Sequence, residues 1–537
     1  MTASRRPTAV PALARTAFAL AVVVLAAGVA AVHLVRLPEP LGVDQGLFVD
    51  FARWVPRGWL PYRDIFDSKP PLFLYWWTVA GLSHGDIVRA AWWWEGAWLC
   101  ATLVAAFALC ARIWDRWVGL AAAALLFIGL WSPAWGGFWS RAQAEELLAL
   151  PMLGAAWFGW RAVDRPPLAL AAGVLVGVCG LFKIPSMALA LSWTVVWVAC
   201  LPALAAATRV GVMAGGIAIP WALAFAWFAA KGATGDFIEG VFVYHRYNAA
   251  FIAPPWTDVL RDYGTKMVTE APLLLVAAAV GFYRLSAARA EARTAALATR
   301  SMHWLAAWIV ATMAAVVLQR QLAGYQYILP VPALAIAGAY GIVDTVRAFA
   351  VPSTRLVSGF GLVLLGGLVA HDVHTWSQKY GPDVDVMRGR MPREAYLRQI
   401  QQGSYSNADE ELAAAWLRDH TAPTDGILVW GLSPGVYALA DRHPVTRYPF
   451  HKILLTDAPL SRMWPGLDQR REAFLDRLQR DPPAYILIGQ RDQNGFEPQD
   501  SYTSLVRFRA LREILQRDYA PDGQLGRFLR AKRGGLP

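Results

Sequence analysis

Apolar stretches of roughly 18–25 residues, with a few shorter ones, recur along this chain, and each of the longer ones can cross a bilayer as a helix. They run approximately over 14–36, 87–111, 117–134, 143–160, 167–182, 186–205, 210–230, 270–286, 303–318, 325–345 and 355–372. Of the 537 residues, 56% are hydrophobic and only 17% charged, which would leave a soluble protein with too much apolar surface in water. The chain therefore reads as a polytopic α-helical membrane protein with about 11 transmembrane helices.

Arginine placement orients these spans. With the N-terminus in the cytoplasm, the inside loops carry Arg112 and Arg116, Arg161 and Arg165, Arg209, Arg284 to Arg300, then Arg347 and Arg355. Short arginine-bearing inside loops are what the positive-inside rule requires. An odd number of spans puts the C-terminal region outside. The first apolar run exceeds a signal-peptide core and reads as an uncleaved helix, with Arg5 and Arg6 as its cytoplasmic anchor. The net charge of +11 is attributed to these loops and to lipid headgroups; no basic, aromatic-lined soluble face suggests nucleic acid. Cys100, Cys110, Cys179 and Cys200 all fall in apolar segments without metal-type spacing, and read as small buried hydrophobes.

Two regions are expected, a transmembrane domain over 1–372 and a small extracytoplasmic α/β domain over 373–537. In the second, 407–420, 471–480 and 504–519 have helical spacing, GILVWG (426–431) and AYILIG (484–489) read as buried strands, and GRFLRAKR (526–533) as a last edge strand. In the first, TDVLRDYGTKMVTE (257–270) reads as an interfacial helix.

The chemistry concentrates in one outer loop within 37–86. Residues 42–77, GVDQGLFVDFARWVPRGWLPYRDIFDSKPPLFLYWW, mix Asp44, Asp50, Asp64 and Asp67 with Arg53, Arg57, Arg63 and Lys69. A carboxylate such as Asp44 can act as a general base when an acceptor hydroxyl reaches it; the plain alternative is an Asp capping a helix that starts near Gln45. Lys69, held before two prolines, can place a compact ammonium against a phosphate, or can simply snorkel at a helix end. Further along, Arg141 and Glu145 stand at i and i+4, able to pair on one helix face, with Glu146 beside them. Lys183, His245, Arg246, Arg320, Tyr325 and Tyr327 are interfacial anchors individually and a cationic, aromatic rim together. Under the proposed topology all these polar positions face the same side.

The first outer loop, VDQG…WLPYRDIFDSKPPL.YWW, resembles membrane glycosyltransferases of the GT-C class, in particular the protein O-mannosyltransferase-like and aminoarabinose-transferase-like families. RAQAEELLALPML, LFKIPS, GYQYILPVPALA and the C-terminal GILVWGLSPGVYALADRHPVTRY follow in a similar order. The resemblance spans most of the chain, is specific in the first loop and is weak in the last third. It implies transfer of a sugar from a polyprenyl-phosphate donor to an extracytoplasmic hydroxyl, with inversion. By position, Asp44 matches the catalytic aspartate and Lys69 the donor-phosphate lysine, while Glu145 or Glu146 matches a second acid. Two departures bear on substrate. Gln45 stands where many relatives carry Glu, and GYQY lacks a His often found in that motif.

The expectation is thus an integral protein of the bacterial inner membrane, its C-terminal domain periplasmic. Asp44 would be the base, Lys69 with Lys183 and Arg320 would hold the donor phosphate, and Asp67, Arg141, Glu145, Glu146, His245, Tyr325 and Tyr327 would contact substrate. Its partners would be a polyprenyl-phosphate-linked sugar donor, a lipid, glycan or protein acceptor, and membrane lipids. No cofactor is required and no metal-ligand set is visible, although some members of the class use a divalent cation. The competing readings are a lipid or solute transporter, disfavoured because the charges crowd one surface and no repeat is seen, and a non-catalytic scaffold.

Overall fold

The computed structural model describes residues 10–83, 85–246, 254–321, 323–401, 403–454, 466–493 and 499–534. Arg5 and Arg6, and part of the expected outer loop at 247–253, lie outside the described residues. Among those described, seven helices are long and apolar enough to cross a membrane: Ala14–Val35, Ile87–Ile113, Arg116–Trp135, Ala203–Ala230, Ala295–Gln319, Val331–Phe349 and Arg355–Lys379. The pair Trp256–Glu270 and Pro272–Ala288, bent by 90°, is long and apolar enough only when taken together. The remaining expected spans are shorter helices, Ala149–Ala162, Leu168–Phe182 and Leu189–Cys200. The chain is an integral membrane protein, and each of the eleven expected apolar stretches is helical, the short helices Ala149–Ala162 and Leu168–Phe182 being more buried than most of the long spans. The last span also runs to Lys379, beyond the boundary expected at 372.

Local chemistry explains the ends of these helices. Asp86 accepts from the amides of Val88 (2.9 Å) and Arg89 (3.2 Å), and Asp115 from those of Trp117 (2.8 Å) and Val118 (3.3 Å), so each caps the helix that follows it. Pro202 and Pro272 stand where a missing N–H costs nothing, at a helix start. The 90° bend before Pro272 leaves Trp256–Glu270 lying across the neighbouring span, the attitude expected of an interfacial helix. Small residues bring spans together. A Cβ on Gly281 would stand 2.0 Å from the carbonyl oxygen of Ala337, so only glycine permits that approach.

The C-terminal region folds as an α/β domain around four strands, β1 (Ile427–Trp430), β2 (Tyr485–Gly489), β3 (Tyr519–Leu525) and β4 (Phe528–Arg533), in the order β1-β2-β4-β3. β1 and β2 run parallel, and the β3–β4 hairpin pairs antiparallel to β2. The segment 526–533 is therefore not an edge strand. Its neighbour β3 takes the edge, where Pro521 can lack a ladder hydrogen bond and a bulge follows at Pro521/Gly523. The expected helix over 504–519 is two helices, Ser501–Arg507 and Arg509–Asp518, that meet at Phe508.

This domain sits directly on the loop between the first two long spans. The helix Val43–Trp54 packs so closely that a Cβ on Gly46 would lie 2.8 Å from the backbone nitrogen of Gly435. Arg57 pairs with Asp441 (2.8 Å), the Phe66 amide donates to the Arg447 carbonyl (2.7 Å), and Asn407 donates to the Leu41 carbonyl. Arg447 also pairs with Asp236 (2.8 Å) and Glu239 (3.1 Å). The charges of the loop thus divide. Arg53 and Arg57 hold the domain, Arg63 and Asp64 pair locally (2.9 Å), and Asp44, Asp67 and Lys69 face a cavity.

Candidate active site

That cavity, of about 940 Å³, lies between the membrane helices and the C-terminal domain. The helix Val43–Trp54 supplies Asp44, Leu47 and Phe48, and the turn after it supplies Asp67, Ser68 and Lys69. Trp135 and Trp139 come from the second outer loop, and Lys266, Arg320 and Tyr325 from the later ones.

Asp44 stands in the first turn of its helix and does not cap it; the cap position is Gly42, which makes no side-chain bond. Its Oδ2 accepts from Gln143 Nε2 and from the Tyr325 hydroxyl, both at 3.2 Å, and Oδ1 accepts nothing among the described residues. Gln143 also donates to the Trp139 carbonyl (3.2 Å), which ties Asp44 to the second outer loop. The neighbouring Gln45 is fully buried, and its amide donates to the carbonyls of Phe138 (3.1 Å), Trp139 (2.9 Å) and Arg141 (2.9 Å). A glutamate here would face three carbonyl oxygens with no proton to offer when ionised. The departure at Gln45 is therefore part of this chain's own loop geometry.

Lys69 is placed by its backbone. The Tyr62 hydroxyl donates to its carbonyl (2.7 Å), and Asp67 Oδ1 accepts from its amide (3.3 Å) and from that of Ser68. Pro70 and Pro71 then start the helix Pro71–Thr78. Tyr62 holds a left-handed backbone (φ 71°) with a fully buried ring among Phe228 and Phe237, a conformation that persists only where its surroundings impose it. Tyr62→Phe keeps the ring and loses only the bond to Lys69. It is expected to lower stability by about 1 kcal/mol, the worth of one hydrogen bond, read by thermal unfolding, and to raise the KM for a phosphate-bearing donor by loosening Lys69.

Burial alone would lower the proton affinity of Lys69, but Asp44, Asp67 and Glu145 outweigh it and hold the ammonium above its ordinary value. Burial raises Asp67 to about 6, against the opposing pull of Lys69. Asp67 therefore gains its proton as pH falls through about 6, which removes a negative charge beside Lys69. Affinity for an anionic donor is expected to rise by about threefold between about pH 7 and about pH 5, as one screened carboxylate is neutralised. Asp67→Asn should flatten that profile in a titration of donor binding.

Other expected site residues are distributed differently. Glu145 pairs with Lys183, and both bear electrostatically on Lys69. The pairing of Arg141 with Glu145 does not form, since the helix begins only at Ala144 and Arg141 turns away from it. Instead Arg141 bonds Glu95 (2.9 Å) and Glu39 (2.9 Å), stacks 3.9 Å over Trp92, and has no exposed side-chain surface. Arg36 completes this buried group through Glu39 (3.1 Å). Glu146 accepts from Trp131 Nε1 and the Ala142 amide, each at 2.8 Å, which holds the turn in which Ala142 adopts φ 48°. Neither Arg141 nor Glu146 lines the cavity; a polar residue in an apolar stretch reads alike whether it binds substrate or another buried charge.

Tyr327 likewise bonds Asp262 and packs against Trp135 and Tyr263. Burial lowers His245 to about 4, with Lys69 and Lys183 adding to the effect, so it is neutral near pH 7 and no cation for a phosphate. Arg320 does reach the cavity, with its guanidinium 4.7 Å over Trp256 and Nε donating to the Pro254 carbonyl (3.1 Å). Sequence reasoning noted Gln45 as a departure and missed Gln143 and Tyr62, and also the C-terminal contributors Tyr405, Ser433, Asp492 and Arg527. For the last four, the one available signal was their place at strand ends and turns.

No family model matches the sequence, and no curated protein matches it. Solved structures do. ArnT from Cupriavidus metallidurans bound to undecaprenyl phosphate superposes with a TM-score of 0.57 at 14% identity, over 96% of this chain and 98% of that one. Its apo state gives 0.55 at 15% identity over the same shares. The archaeal oligosaccharyltransferase AglB from Archaeoglobus fulgidus, in complex with an inhibitory peptide and a dolichol-phosphate, gives 0.50 at 13% identity, over 96% of this chain and 75% of that one. The chain has the GT-C fold of these membrane glycosyltransferases.

Proposed function

We propose that this chain is an inverting glycosyltransferase that moves a sugar from a polyprenyl-phosphate donor to an acceptor hydroxyl. The observation that carries this reading is that Asp44 and Lys69 line one cavity, between membrane helices and an outer domain, in a chain with a fold shared with ArnT. ArnT is known with undecaprenyl phosphate bound, which supports the lipid class of the donor. The cavity faces the outer side of a bacterial inner membrane, and the C-terminal domain is periplasmic.

In this mechanism the acceptor oxygen attacks the anomeric carbon and its proton passes to Asp44 Oδ1. The bond from the anomeric carbon to the phosphate oxygen breaks on the opposite face, and its electron pair leaves with the lipid phosphate. Lys69 offsets the charge developing there. Asp44 keeps its orientation through Gln143 and Tyr325. Arg320, half-buried on the same cavity, supports the phosphate, and Lys183, neutralised by Glu145, tunes Lys69 at a distance. Among the described residues, no three His, Cys, Asp or Glu side chains converge as metal ligands, so no step is assigned to a divalent cation.

The experiment is transfer from a synthetic polyprenyl-phosphate sugar by the purified chain in nanodiscs with a chelator present. Lys69→Met is expected to cut kcat/KM by about tenfold to a hundredfold, the range for losing a charge-assisted hydrogen bond. Undiminished transfer by that variant, or none by the wild-type chain, would overturn the assignment.

A further inference from the structure

The wall of the cavity opposite the membrane helices belongs to the C-terminal domain. β1 and β2, the parallel pair, both direct their carboxyl ends at it: Leu432, Ser433 and Pro434 follow β1, and Asp492 follows β2. Parallel strands commonly present ligands with the loops at their carboxyl ends. Arg527 joins from the β3–β4 turn, and Tyr405 from the segment before the helix Asn407–His420.

These groups are held in place. The Asp492 carboxylate accepts from the Ser501 amide (2.8 Å) and hydroxyl (2.5 Å), and Arg527 Nε donates to Asp409 (3.2 Å). Tyr405 donates to Glu410 and meets Trp139 edge-on, with ring centroids 5.2 Å apart. Burial raises Glu410 to about 8, so near pH 7 it is a neutral partner and adds no charge to the wall.

We propose that the C-terminal domain is the acceptor-binding half of the site and that it takes a saccharide, with Asp492 and Arg527 as its specificity-determining residues. The inference rests on the glycosyl-transfer reading above. Aromatic faces beside a fixed carboxylate and a fixed guanidinium suit a pyranose or furanose ring, whose C–H face packs on the aromatic groups. Its adjacent hydroxyls can donate to Asp492 and accept from Arg527. A peptide captured by its main chain would need an open strand edge. β3 does not line the cavity, and the outer side of β1 is met by Pro444, which bridges to Ile427.

Saturation-transfer NMR on the full chain in nanodiscs tests this with two probes, a mixture of hexosamine, hexose and pentose disaccharides, and a Ser/Thr-rich peptide. The wild-type chain is expected to bind a disaccharide and not the peptide. Asp492→Asn, which keeps one of the two bonds from Ser501, is expected to weaken that binding by about tenfold, the loss of a bond to a charged acceptor. Leu432→Trp, which fills the same wall without touching a charge, is expected to abolish it. Undecaprenyl phosphate binding, followed by thermal shift, should stay unchanged in both variants and fall in Lys69→Met. Disaccharide binding unaffected by both substitutions, binding of the peptide instead, or binding of neither probe overturns the inference and leaves the donor reading standing. Failure of the wild-type chain to bind undecaprenyl phosphate overturns the donor reading itself.

Discussion

Asp44→Asn is expected to lower transfer by on the order of a thousandfold, the usual worth of a positioned general base. The substitution is nearly isosteric, and asparagine oxygen still accepts from Gln143 and Tyr325, so the two bonds that orient the side chain survive. What is lost is the capacity to take the acceptor proton. Donor affinity should therefore hold while kcat collapses, and steady-state kinetics on protein with an unchanged melting curve separates the two. A fall in affinity with kcat preserved would move Asp44 from base to binding residue.

Arg141→Leu is expected to be the most destabilising single change in the membrane region, by about 3–5 kcal/mol, because it strands buried carboxylates without a partner. Glu95 has no exposed side-chain surface and Glu39 has 5%, so neither can find water in compensation. The same change should impair transfer indirectly. Arg141 anchors the outer loop that contains Trp135, Trp139 and Gln143, and Gln143 orients Asp44. Thermal unfolding in detergent, followed by tryptophan fluorescence, measures the loss. Arg141→Leu combined with Glu95→Leu should recover part of the stability, since the second substitution removes the orphaned charge; equal or greater loss in the double variant would count against this account.

The two residues singled out in the first outer loop do share one cavity, and they were legible because their neighbours are informative. Prolines on both sides of a helix start confine Lys69, and the charge mixture of 42–77 has no place in a simple connector. Arg141 and Glu146 were legible as unusual and not as what they are. A buried ion pair needs partners distant in sequence, here 46 and 102 residues away for Glu95 and Glu39, and no local spacing announces them. The edge strand β3 escaped notice for a related reason. Its residues YAPDGQL carry proline, aspartate and glycine, poor strand formers, and only the hairpin partner β4 makes them a strand.

Local sequence was enough to set the medium in which this protein folds and to mark the segment whose charges line the cavity, because bilayer length and backbone restriction act over a few consecutive residues. Long-range packing set which charges face the cavity and which hold the loop or the C-terminal domain. It also brought the ends of β1 and β2 over Asp44 and Lys69. Those outcomes depend on which buried charge finds which partner, and in a low-dielectric interior that choice is made by contacts far apart in sequence.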